Sequence, residues 1–72
     1  MSQSREMVAL MRENAALCTL EAEIIMAIKY LEASNEYLAR GQLRKIKEAL
    51  DVVEVVRKRN EIAQGENYGE NP

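Results

Sequence analysis

Seven cations stand in two groups in the second half of the chain: Arg40, Arg44, Lys45 and Lys47, then Arg57, Lys58 and Arg59. Lysine and arginine at this density neutralise phosphate, so a nucleic acid or another anion is the first chemistry to weigh. Glu48, Asp51, Glu54 and Glu61 are interspersed among them, and a phosphate track needs its cations on one continuous face. The second candidate is aromatic. Tyr30 and Tyr37 lie seven residues apart with Met26 close by, which on one continuous helix puts both rings on the same side. Tyr and Met are enriched at protein contacts, so Tyr30, Tyr37 and Met26 are candidate partner-binding residues. A cleft between either tyrosine and Lys29 or Arg40 would instead suit an anionic small molecule.

Catalytic chemistry is thinly represented. The chain has no histidine, which removes the commonest general base and metal ligand. Ser2, Ser4 and Ser34 have no base positioned by spacing. Cys18 has no cation at helical spacing to lower its pKa, and it reads as a small buried hydrophobe. The carboxylates are scattered, mostly within three or four residues of a Lys or Arg, as helix-surface charges are. No glycine-rich loop exists to cradle a phosphate. The expectation is a protein that is not an enzyme, with no metal and no cofactor.

Size bears on what must hold such a chain together. Its 72 residues allow one domain, and they are 47% hydrophobic and 31% charged with a formal net charge of -2. A core of this size is marginal alone and is usually reinforced by disulfides, a metal or oligomerisation. A single cysteine, Cys18, leaves oligomerisation. No apolar run approaches the ~20 residues of a membrane span, and the start "MSQSREM" lacks the basic and apolar regions of a signal peptide, so a cytoplasmic protein with no membrane contact is expected.

The elements that position these residues are helices. From Ser4 to Gln64 there is no proline and one glycine, Gly41, in a background rich in Ala, Leu, Glu, Lys, Arg and Met. The predicted architecture is all-α, a long helical hairpin within a single domain over residues 1–64. Ser4 caps a first helix of about 5–39, Arg40–Gly41 makes the turn with Gly41 in the left-handed conformation, and a second helix covers about 42–63. Residues 65–72, "GENYGENP", are expected to be disordered. A break near Thr19 would make three helices of the two.

The first helix carries Leu10, Leu17, Ile24, Leu31 and Leu38 at a strict spacing of seven, joined by Met7, Met11, Cys18, Ile25 and Ile28. Such a repeat marks a left-handed helix–helix seam. Asn14, Glu21 and Asn35 fall in line with Met7 and Ile28. The second helix repeats Leu43, Ile46, Leu50, Val53 and Val56 at steps of three and four. A turn at Arg40–Gly41 gives helices of unequal length and leaves Met7 to Leu17 without an intrachain partner. Met7, Leu10, Met11, Leu17, Cys18, Ile24 and Ile25 are therefore assigned to self-association in a dimeric or higher-order bundle. The stretch "EIIMAIKYL", apolar on nearly every side, becomes the junction between the hairpin and a second subunit.

The order Ala33, Tyr37, Leu38, Gly41 and Leu50 in "YLEASNEYLARGQLRKIKEALD" resembles the helix–turn–helix of a tetratricopeptide repeat, over one hairpin and with Ile46 where that family has a small residue. The resemblance implies a turn at Gly41. The outline is also similar, at the level of fold, to small plasmid-encoded RNA-binding hairpins that dimerise into four-helix bundles. The leading functional expectation is a small homo-oligomeric regulatory or inhibitory protein, such as an accessory factor of bacteria or phage, that binds another protein through a helix face. The alternatives are a nucleic-acid-binding dimer using the two cation groups, and an oligomer holding an anionic small molecule in an intersubunit cleft.

Overall fold

The computed structural model describes residues 2–70, with side chains from Ser4 to Ala63. Helix α1 runs Ser2–Glu32 and helix α2 runs Glu36–Glu70, and the two pack antiparallel over a molecule 56 Å long and 16 by 11 Å across. The all-α helical hairpin expected from composition and period is the observed fold.

Its turn is elsewhere. Ser34, at φ 58°, takes the left-handed conformation. The amide of Asn35 donates to the Tyr30 carbonyl at 2.8 Å, and that of Ser34 to the Leu31 carbonyl at 2.9 Å. These are the two bonds of a Schellman C-cap, which satisfies the last carbonyls of α1. Asn35 then begins α2 as its N-cap: Oδ1 accepts from the Leu38 amide at 3.1 Å, and its carbonyl accepts from the Ala39 amide at 3.0 Å. Two adjacent residues thus end one helix and start the next. Gly41, expected at the turn, lies within α2, and with it goes the turn implied by the tetratricopeptide resemblance.

Two further expectations are corrected, and the alternative of a broken first helix falls away. Thr19 does not break α1; its hydroxyl donates to the Ala15 carbonyl at 3.1 Å, one turn back in a continuous helix. Ser4 is inside α1 rather than its cap. The tail expected to be disordered from residue 65 continues α2 to Glu70, while residues 71 and 72 lie outside the described residues. Because α2 starts earlier and ends later than expected, the helices match in length, and Met7–Leu17 no longer lacks an intrachain neighbour.

The seam between the helices is built from small and polar side chains. On α1 the residues turned inward are Ala9, Glu13, Ala16, Leu20, Glu23, Ala27 and Tyr30; on α2 they are Ala39, Gln42, Ile46, Ala49, Val53, Val56 and Asn60. Both sets alternate steps of three and four, the period of two helices wound around one another. Alanine on both sides allows a close approach, and Ala16, Ala27, Ala39, Ala49 and Val53 form the buried apolar core. Gln42 Nε2 donates to the Glu23 carboxylate at 2.8 Å and to its carbonyl at 3.1 Å. Polar pairs in a seam cost stability relative to apolar ones but hold register, since a shift by one turn strands both partners.

Candidate interaction surfaces

Packing through alanine leaves most of the large apolar side chains outside. The column Leu10, Leu17, Ile24, Leu31, whose spacing marks a helix–helix seam and of which Leu10, Leu17 and Ile24 are assigned to self-association, is exposed, from 38% at Leu17 to 67% at Leu10. The seven-residue period sets Met7 and Ile28 beside it, in a column that also holds Asn14 and Glu21. On α2, the corresponding column carries Leu43 and Leu50, both exposed, and its neighbour carries Arg40, Lys47, Glu54 and Glu61. These columns look out of the same side of the hairpin, because Leu31 and Ala27 from α1 line a groove of about 310 Å³ together with Glu36, Arg40 and Leu43 from α2. The alignment fixed by Gln42 with Glu23, and by Asn60 with the Ala9 carbonyl, brings Ile24 level with Leu43 and Leu17 level with Leu50. The result is a continuous leucine-rich face.

The opposite side is different. Ala15, Ala16, Thr19, Ala49 and Val52 line a second groove of about 260 Å³. Further along, Arg5, Val8, Ala9 and Arg12 line a third, of about 360 Å³, with Asn60 and Ala63. The same columns hold Met26, Leu38, Val55 and Ile62, all exposed, and the cations Lys29, Lys45 and Arg59. This second face is lined by small residues along its grooves and rimmed by positive charge, with Glu48 as the acid in its columns.

The residues singled out in the sequence are redistributed. Met7, Leu10, Leu17 and Ile24 belong to the leucine-rich face, and Met11, Cys18 and Ile25 flank it. Cys18, expected to be buried, is exposed in the hairpin. Tyr30 and Tyr37 do not share a helix face, because the turn separates them. Tyr30 is half-buried at the closed end of the seam, Tyr37 projects from the outer side of α2 at 86% exposure, and Met26 lies on the second face. Neither tyrosine lines the groove that holds Arg40. The two cation groups are also split. Arg40 and Lys47 border the leucine-rich face, Arg57 continues the Leu43–Leu50 column, Arg44 and Lys58 point outward, and Lys45 and Arg59 join Arg5 and Arg12 on the second face. No group of His, Cys, Asp or Glu that could hold a metal ion occurs among the described residues, and no helix among them is long and apolar enough to cross a membrane.

No protein-family model, curated protein or solved structure matches this chain. Its function must be argued from the two faces themselves.

The alanine seam was the feature that sequence reasoning missed. Its signal was present, since Ala9, Ala16, Glu23 and Tyr30 repeat as strictly as the leucines do. α1 carries two seven-residue repeats side by side, and side-chain size alone assigns the hairpin to the wrong one.

Proposed function

We propose that this chain is a small homo-oligomeric regulatory protein that pairs with itself through the leucine-rich face and binds another protein through the second face. One observation carries the reading: most of the large apolar residues lie outside the hairpin seam, on both broad sides. Soluble monomers rarely expose contiguous apolar patches beyond a few hundred Å², and larger ones mark interaction sites. The leucine-rich face, with long aliphatic side chains in two columns, has the character of a permanent helix–helix contact. The second face, with a groove along Ala15, Thr19 and Val52 and a positive rim, suits an acidic amphipathic segment whose apolar side chains enter the groove.

A nucleic-acid partner is the second reading, favoured by Arg5, Arg12, Lys29, Lys45 and Arg59 sharing one face. Affinity capture from the source cell separates the two. With the wild type and Val52→Glu/Val55→Glu as baits, a protein target is retained after nuclease treatment and at raised salt, and lost with the double variant. Capture that disappears with nuclease, and falls steeply between about 50 and 200 mM salt as phosphate contacts do, transfers the assignment to nucleic acid.

A further inference from the structure

We infer that the leucine-rich face takes a second copy of this chain in one particular arrangement, with the two hairpin turns at opposite ends of a four-helix bundle, and that the charges on α2 specify it. The inference rests on the reading of that face as a self-association surface and adds to it the partner's direction and register.

One column of α2 lies beside Leu43 and Leu50 and is charged throughout. Arg40, Lys47, Glu54 and Glu61 recur every seven residues, two cations followed by two acids. A second α2 running antiparallel, related by a two-fold axis across the helices, sets Arg40 against the partner's Glu61 and Lys47 against the partner's Glu54. Symmetry makes each pair twice. The midpoint of both pairings falls at Leu50–Asp51.

Helix α1 has an independent symmetry of its own. In the column Met7, Asn14, Glu21, Ile28, an antiparallel copy pairs Met7 with the partner's Ile28, and Asn14 with the partner's Glu21, whose carboxylate can accept from the Asn14 amide. In the adjacent column Leu10 meets the partner's Ile24, and Leu17 meets its own counterpart. The midpoint here is Leu17–Cys18. The hairpin's hydrogen bonds, which know nothing of any partner, put Leu17 level with Leu50. One axis therefore satisfies the apolar pattern of α1 and the charge pattern of α2 together.

The competing dimer, with both turns at the same end, is poorer. There α1 of one copy faces α2 of the other, so Lys47 meets the partner's Glu21, but Arg40 meets Ile28, Glu54 meets Asn14 and Glu61 meets Met7. Two acids lose their cations, and Arg40 is set against an aliphatic side chain. Charge pairs at an interface edge select the arrangement more than they add affinity, which the leucines supply. Area is adequate as well. One broad side of a 56 by 16 Å molecule is on the order of 900 Å², against roughly 800 Å² per partner in a standard interface.

The test is sedimentation equilibrium on the full chain with four sequences: wild type, Lys47→Glu, Lys47→Glu/Glu54→Lys and Lys47→Glu/Glu21→Lys. All three positions are exposed helix-surface sites, so the hairpin folds in each. The expected result is a dimer that weakens about tenfold or more with Lys47→Glu, because a like-charge contact is created twice. Glu54→Lys restores it and Glu21→Lys does not. Restoration by Glu21→Lys alone, or no effect of Lys47→Glu, overturns the opposite-end arrangement while leaving self-association standing; a wild type that is monomeric throughout overturns both. A second readout is cross-linking. In a Cys18→Ser background, Leu17→Cys cross-links to itself in the proposed dimer, whereas the same-end dimer cross-links only mixed Leu17→Cys and Leu50→Cys chains and so overturns the proposal.

Discussion

Asn60 reaches across the hairpin to residues about fifty positions earlier: its Nδ2 donates to the Ala9 carbonyl at 3.1 Å and to Glu13 Oε1 at 3.0 Å. At 7% exposure it is, with Gln42, one of two buried amides among the described residues, and it ties the seam towards the open end of the hairpin as Gln42 ties it nearer the turn. Losing one partner of such a bond and leaving the other buried without one costs about 1–3 kcal/mol, and more for a charged group. Asn60→Ala and Glu13→Ala are each expected to destabilise the protein, and the double variant by less than the two together. Urea denaturation in a double-mutant cycle measures this coupling.

Replacing both polar partners reverses the sign. Gln42→Leu with Glu23→Leu exchanges a part-buried polar pair for apolar contact at two seam positions, a change that can be nearly neutral or stabilising. The expected outcome is a thermal midpoint at or above that of the wild type, with Gln42→Leu alone below it. Thermal denaturation followed by circular dichroism at fixed chain concentration checks the order of the three.

The turn gives a local test. Ser34 has a Cβ at positive φ, where glycine has no steric penalty, so Ser34→Gly is expected to stabilise by roughly 0.5–1 kcal/mol despite the added freedom of the unfolded chain. Asn35→Ala removes the cap of α2 and is expected to cost about 1 kcal/mol.

Gly41 provides the complementary test. A methyl group there meets nothing within 4 Å, and the residue is exposed inside α2. Gly41→Ala is expected to stabilise by about 1 kcal/mol, the helix-propensity difference between the two residues. A glycine required by a turn at residues 40–41 would respond with a loss.

These two sites show how much of the fold was legible. The helical composition, the single hairpin and the seven-residue repeat of leucines were all readable from residue types and spacing. The turn was misplaced because Gly41 is the residue that most easily adopts left-handed backbone, while Ser34 does so only because two Schellman bonds and the Asn35 cap hold it there. The pairing was misread because burial was assigned by side-chain size. Alanine at Ala9, Ala16 and Ala27 wins the intrachain contact by letting the helices close up around Gln42 and Asn60. The Tyr30–Tyr37 stripe failed for the same reason as the turn, since it assumed one helix through residues 30 to 37. What was legible in the candidate surface was the leucine column, which is the same set of residues in either pairing.

The central claim is that the leucine-rich face is covered by another subunit, and light scattering coupled to size exclusion at micromolar concentration tests it most directly. The wild type is expected to elute with twice the 8.2 kDa mass of the chain or a higher multiple. Leu17→Glu or Ile24→Glu should reduce that mass or unfold the chain, because a carboxylate at a desolvated helix contact has no partner. A monodisperse, thermally stable species of 8.2 kDa for the wild type, unchanged by either glutamate, would contradict it.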